Sequence, residues 1–182
     1  LDDLLDLFER DPEYRCFMLD GHTIPLEDYL EVRPERRPDL ERAVRDGRLL
    51  IGPWYIIPDE FLPGGEALVR NLLRGHRVAS QFGPVMKVGY IPDPFGQIAY
   101  MPAIFRGFGI ERATMWRGAD ESLRHTEFIW RSPDGSEVLT IHKPGGYGIG
   151  AHLPVAREAL LERIRRIRAE LEPRATTRYL LL

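Results

Sequence analysis

Two rhythms of hydrophobic and polar positions alternate along the chain. Leu1, Leu4, Leu5 and Phe8 recur at helical spacing over residues 1–9, with acids on the other face. An apolar run at 15–19 reads as a short strand, and Asp20-Gly21-His22 follows it at once. Residues 26–31 give one or two helical turns. Residues 38–46 give a clearer helix: Pro38 and Asp39 suit its first turn, Leu40, Ala43 and Val44 form its apolar face, and Gly47 suits its C-cap. A strand at 49–51 runs on into Gly52-Pro53-Trp54-Tyr55. A longer helix is predicted over 65–82, with Leu68, Leu72, Leu73, His76 and Ala79 on or near one side, and Gly83-Pro84 breaks it. A strand at 85–91, a helix at 98–108 and a strand at 112–116 come next. Residues 127–141 differ in kind, reading as a hairpin turned at Asp134-Gly135. Residues 155–171 form an amphipathic helix with Leu160, Ile164, Ile167 and Leu171 as its stripe, and a strand at 178–182 closes the pattern.

Short strands alternating with helices predict an α/β fold with parallel strands and right-handed crossovers. The sheet is either open or an arc of a β/α barrel, with a β-hairpin insertion near 127–141. The 182 residues fit a single domain, 1–182. A net charge of -3 excludes an electrostatic case for nucleic acid. Cys16 is the only cysteine, so no intramolecular disulfide forms, and a reducing, cytoplasmic setting is expected. Its apolar neighbours Phe17 and Met18 predict a buried core thiol. No apolar run approaches the roughly 20 residues of a membrane helix, and no signal peptide opens the chain. Leu1 already reads as part of a helix and the last strand stops mid-run, so a fragment of a larger chain is expected. Cutting a barrel exposes strand edges, which favours self-association, a homo-oligomer included.

The chemistry concentrates where strands end. Asp93 follows the 85–91 run between Pro92 and Pro94; both prolines stiffen the backbone, and Gly96 lets the chain turn toward the next helix. A carboxylate there can bind a metal, act as nucleophile, serve as base, or merely cap the turn. In a parallel sheet the C-terminal strand ends share one side. These ends carry Asp20-Gly21-His22, residues 54–60, Asp93-Pro94-Phe95 and Trp116-Arg117-Gly118. Aromatic rings beside carboxylates and an arginine suit sugar recognition, because apolar sugar faces stack on rings and hydroxyls bond to charged groups. The glycine-rich stretch 145–150 is not a phosphate loop, since no Lys-Ser/Thr follows it.

Several of these motifs stand in a specific order: Trp54-Tyr55-Ile56-Ile57-Pro58-Asp59-Glu60, Asn71-Leu72-Leu73-Arg74-Gly75, Pro92-Asp93-Pro94-Phe95-Gly96, Met101-Pro102-Ala103-Ile104-Phe105, Gly107-Phe108-Gly109-Ile110, Trp116-Arg117-Gly118, Phe128-Ile129-Trp130, Pro133-Asp134-Gly135-Ser136 and Tyr147-Gly148. The series resembles glycoside hydrolase family 38, the α-mannosidases, over residues 14–182, in the manner of its bacterial cytosolic members. The resemblance implies a central part of the N-terminal catalytic domain, a seven-stranded β/α barrel of the glycoside hydrolase/deacetylase type. It implies hydrolysis of terminal α-mannosides with retention, zinc as cofactor, and an α-mannoside oligosaccharide as partner. Asp93 then matches the nucleophile, which is also a zinc ligand. Arg117 matches a supporting arginine that keeps this carboxylate ionised. Phe95 and Tyr147 become sugar-facing aromatics, with Trp54, Asp59 and Glu60 as further substrate-binding candidates.

There are departures from the family pattern. Gln97 replaces the usual His, and Tyr100 and Ala103 stand where glutamines are frequent. The resemblance places a His-x-Asp ligand pair before everything seen here, and a last zinc histidine and the general acid/base after Leu182. No His-x-Asp occurs in the chain; His125-Thr126-Glu127 is the nearest form. His22, His76, His142 and His152 lack metal spacing, although His22 follows a strand end. The chain alone is therefore expected to bind zinc poorly and to be inactive. Two alternatives stand beside this reading. One is another metal-dependent polysaccharide hydrolase or deacetylase, which would want a His-x-x-x-His pair absent here. The other is a non-catalytic carbohydrate-binding or structural remnant.

Overall fold

The computed structural model describes residues 1–178. They form two compact units, one of residues 1–58 and 62–90, the other of residues 59–61 and everything from Ile91 onward.

In the first unit, helix α1 (Asp2–Arg10) is followed by the two-residue strand β1 (Phe17–Met18). Helix α2 (Ile24–Val32), with proline in its first turn, leads through a 3-10 turn at Pro34–Arg36 into α3 (Arg37–Arg45). Strand β2 (Leu49–Leu50) pairs parallel with β1, Phe17 opposite Leu49 and Met18 opposite Leu50. Helix α4 (Gly65–Ala79) completes the unit, and strand β3 (Gly89–Ile91) begins in it. The helical stripes legible in the sequence are what this core is built from. Leu5 and Phe8, Leu40, Ala43 and Val44, and Val78 and Ala79 meet Leu26, Leu49, Ile51 and Phe82 in one cluster. Burying each large side chain contributes about 1.5–3 kcal/mol.

Two helix-to-loop contacts of this unit explain a motif. Asn71 Oδ1 accepts the backbone N–H groups of Tyr55 (2.9 Å) and Ile56 (3.1 Å), and its Nδ2 donates to Ile56 O at 2.7 Å. A Cβ on Gly75 would lie 2.2 Å from Pro53 O and 2.3 Å from the Trp54 carbonyl carbon. Only glycine lets α4 approach that backbone so closely. The Asn71-to-Gly75 stretch thus clamps the strand-end loop at 53–56.

In the second unit, helix α5 (Met101–Gly107) precedes strand β4 (Arg112–Met115). Strands β5 (Glu127–Arg131) and β6 (Glu137–His142) pair antiparallel, Glu127 opposite Ile141 and Arg131 opposite Glu137. Strand β6 also pairs parallel with β4, Arg112 opposite Leu139 and Met115 opposite His142. Helix α6 (Arg157–Leu171) runs into a 3-10 turn at Glu172–Arg174, and its Ile167 and Leu171 pack on Ile149. Ile91, Met101, Phe105, Ile110, Ala113, Met115 and Val138 are buried.

Most predicted elements appear with shifted ends; the first three strands shrink most, whereas α2 is longer than the predicted 26–31. Residues 85–88 lie outside β3, and β1 and β2 keep two residues each. The strand expected at 178–182 lies, past Arg178, outside the described residues. Some burial expectations are overturned, and Leu73 of α4 is exposed. Cys16 is exposed, not a core thiol. Cys16 precedes β1, which among the described residues is paired by β2 alone, and even Phe17 is exposed, so apolar neighbours in sequence do not enclose the thiol. No helix of the described residues is long and apolar enough to cross a membrane.

Candidate active site

Strand β3 delivers Pro92, then Asp93, in the second unit. The turn that carries Asp93 is fixed by close approaches. A Cβ on Gly96 would lie 2.2 Å from the Phe61 ring, and one on Gly118 would lie 2.8 Å from Gly96 Cα. Gly118 also has φ +74, a left-handed backbone that favours glycine. These two glycines bring the Asp93 turn and the end of β4 into backbone contact.

That contact places Arg117 beside Asp93. The guanidinium Nε stands 2.9 Å from Asp93 Oδ1. The contact is an ion pair whose angles miss those of a hydrogen bond: Oδ1 is shielded from solvent and accepts no hydrogen bond. The side chain as a whole is 49% exposed, so the oxygen left to face outward is Oδ2. Arg117 is held from both sides. Its Cζ lies 4.9 Å from the Phe95 ring centroid and 4.2 Å from that of Trp116. The Trp116 ring meets the Tyr147 ring edge-on, centroids 5.2 Å apart at 78°. A Cβ on Gly146, whose φ is +85, would lie 3.2 Å from the Trp116 ring, so glycine lets the loop sit close to it. Phe95 is 72% exposed and Tyr147 is 49% exposed. The result is a carboxylate paired with a guanidinium, with the open Phe95 ring against that guanidinium and the Tyr147 ring against Trp116. Such a group can attack an electrophilic carbon or bind a cation through Oδ2 while sugar faces stack beside it.

Two residues that the sequence reading left without a site role hold this arrangement. Gln97, standing where a histidine is usual, donates from Nε2 to Arg117 O at 3.1 Å. His142 Nε2 lies 3.0 Å from Trp116 O; a carbonyl only accepts, so this nitrogen carries the proton. Burial holds the His142 imidazole below its ordinary range. The tie to Trp116 has no sequence signal, because it depends on β4 and β6 being neighbours.

The expected sugar-facing set divides. Phe95 and Tyr147 are open, and Asp59 is half-buried. Trp54 is instead wholly enclosed in the first unit, its Nε1 donating to Tyr90 O at 3.0 Å. Glu60 is 1% exposed, with Oε2 accepting the Ile98 N–H at 2.8 Å. Neither offers a face to a sugar. Proximity to a strand end placed them correctly along the chain, but it does not set side-chain direction. His22, also at a strand end, accepts the Ile57 N–H on Nδ1 (3.0 Å), and burial lowers its pKa against the pull of Asp20.

A zinc ion finds too few donors here. Among the described residues no group of three or more His, Cys, Asp or Glu side chains can hold a metal ion. Zinc takes at least three protein ligands, and Asp93 alone does not fit.

The profile of the Glycosyl hydrolases family 38 N-terminal domain matches residues 1–179. The chain belongs to glycosyl hydrolase family 38. This family 38 chain is 42% identical over 167 residues, 85% of its length, to a Halalkalibacterium halodurans protein provisionally named a mannosylglycerate hydrolase. It is 34% identical over 156 residues, 80% of its length, to human alpha-mannosidase 2C1. The crystal structure of an alpha-mannosidase from Enterococcus faecalis V583 superposes on 97% of the chain with a TM-score of 0.91 and 36% identity. The family 38 chain spans only 19%, 14% and 20% of these three proteins, respectively. The mixed α/β architecture with parallel strands is that of the family's solved structures.

Proposed function

We propose that this chain supplies the nucleophile side of a retaining α-mannosidase site, with Asp93 as nucleophile and Arg117 as its supporting group. The observation that carries the reading is the Asp93–Arg117 ion pair, with the exposed Phe95 ring against its guanidinium. Membership of family 38 supports the glycosidase assignment. Asp93 Oδ2 attacks the anomeric carbon of a terminal α-mannoside. A bond forms from C1 to the carboxylate oxygen, the glycosidic bond breaks, and its electron pair leaves with the aglycone oxygen, which a general acid protonates. Water then attacks C1 of the glycosyl-enzyme and releases mannose with net retention. Arg117 keeps Oδ1 fixed so that the free oxygen presents one direction. Phe95 and Tyr147 stack the sugar, with Asp59 at the margin.

Zinc belongs to this proposal only as an ion that Asp93 would help to hold in the full-length protein, through the family match. The parallel pairings β1/β2 and β4/β6 support an arc of a β/α barrel, the residues 127–141 being an insertion in it. The lone, exposed Cys16 is compatible with the expected cytoplasmic setting. A second substrate has specific support: the relative at 42% identity is named for mannosylglycerate, an α-mannoside with a small acidic aglycone.

The test uses the full-length protein with an aryl α-mannoside and mannosylglycerate in parallel, and a fluorinated mannosyl fluoride to trap the intermediate. Turnover of either substrate is expected to fall by about a thousand-fold or more in Asp93→Asn, and the trapped sugar should map to Asp93. A label on another residue, or full turnover in the variant, would falsify the reading.

A further inference from the structure

The segment 59–61 precedes α4 in sequence, yet it belongs with the second unit. Two of its consecutive side chains grip the turn that carries Asp93. Glu60 Oε2 accepts the Ile98 N–H at 2.8 Å, and the Phe61 ring fills the space that a Cβ on Gly96 would occupy. The grip therefore touches residues three and five positions beyond Asp93, where the backbone turns. Glu60 is 1% exposed, and its Oε1 is buried without a hydrogen-bond partner among the described residues. A group so enclosed cannot pass a proton to a sugar.

We infer that Glu60 is a positioning residue for the Asp93 turn, acting as the buried acceptor that fixes the Ile98 amide. The inference rests on the reading of Asp93 as nucleophile. Burial is also the reason why a carboxyl, an expensive group to enclose, stays here. Desolvation pushes its pKa up to about 8, the Ile98 N–H opposing and Asp59 adding to the rise. At neutral pH Glu60 is mainly the neutral acid, whose oxygen accepts the amide without a buried charge. A carboxamide in the same place offers the same acceptor.

In the full-length protein, amide hydrogen exchange at Ile98 and steady-state kinetics on an aryl α-mannoside are measured for Glu60→Ala and Glu60→Gln. Val138→Ala, a core truncation in the second unit, serves as the stability control. Glu60→Ala should speed Ile98 exchange by about tenfold and lower kcat by about 10- to 100-fold with KM nearly unchanged, because small displacements of a reacting group are costly. Glu60→Gln should restore protection and most of kcat. The inference is overturned if Ile98 stays protected in Glu60→Ala, if Val138→Ala gives the same kcat loss at equal destabilisation, or if Gln fails to rescue. Full turnover in Asp93→Asn would instead remove the nucleophile reading, while Ile98 exchange would still report on Glu60.

Discussion

At the scale of single residues, the site depends on what two glycines leave out. A methyl on Gly118 would meet the backbone of Gly96, which cannot move aside, and φ +74 adds strain. A methyl on Gly96 meets the Phe61 ring, which is 67% exposed and can swing outward. Gly118→Ala is therefore expected to cost about 2–4 kcal/mol, and Gly96→Ala about 1 kcal/mol, read from chemical denaturation. Glu60 makes stability depend on pH. Its folded pKa of about 8 stands above its ordinary 4.5, so the folded state binds the extra proton between those values. The stabilisation is complete below pH 4.5 and is lost as pH rises through about 8, with an upper bound of about 5 kcal/mol. His22, His76 and His142 are lowered mainly by burial and act in the opposite sense, gaining stability as pH rises toward their ordinary 6.5. The difference between wild type and Glu60→Gln isolates the carboxyl. Flat difference curves from pH 5 to 9 would contradict this assignment.

At the scale of elements, some motifs that look catalytic in sequence hold a loop instead. Asn71 makes three bonds to the backbone at 55–56. Asn71→Ala is predicted to destabilise by about 2 kcal/mol and lower the Tm by a few degrees, seen by calorimetry. Helices α1 and α3 were legible because their apolar stripes repeat at helical spacing and enter the core. Strand ends were less legible, since a residue counts as strand only where a neighbour supplies its ladder bonds. Met86 shows the limit: its N–H reaches Ile51 O, yet residues 85–88 form no strand. Asp93 and Arg117 were legible because prolines and glycines bracket them. Glu60 was legible as a position and not as a role; an acid in a polar-looking loop gives no hint that it is enclosed. Gln97 likewise read as a departure, whereas its amide holds the Arg117 carbonyl.

At the scale of the whole molecule, the proposed site joins a carboxylate, an arginine and aromatic rings, but has no metal cage among the described residues. The 182-residue chain alone is predicted to bind zinc more weakly than micromolar and to turn over no α-mannoside. Equilibrium dialysis and a sensitive aryl mannoside assay check both. Turnover by this chain that disappears in Asp93→Asn would show that its own residues suffice. The exposed Cys16 has a practical consequence. With a single thiol in the sequence, lying in the first unit, maleimide chemistry attaches one fluorophore per molecule with no engineered cysteine. Its emission follows the unfolding of the first unit, while amide exchange at Ile98 reports on the second, so the two units become separately observable in one sample.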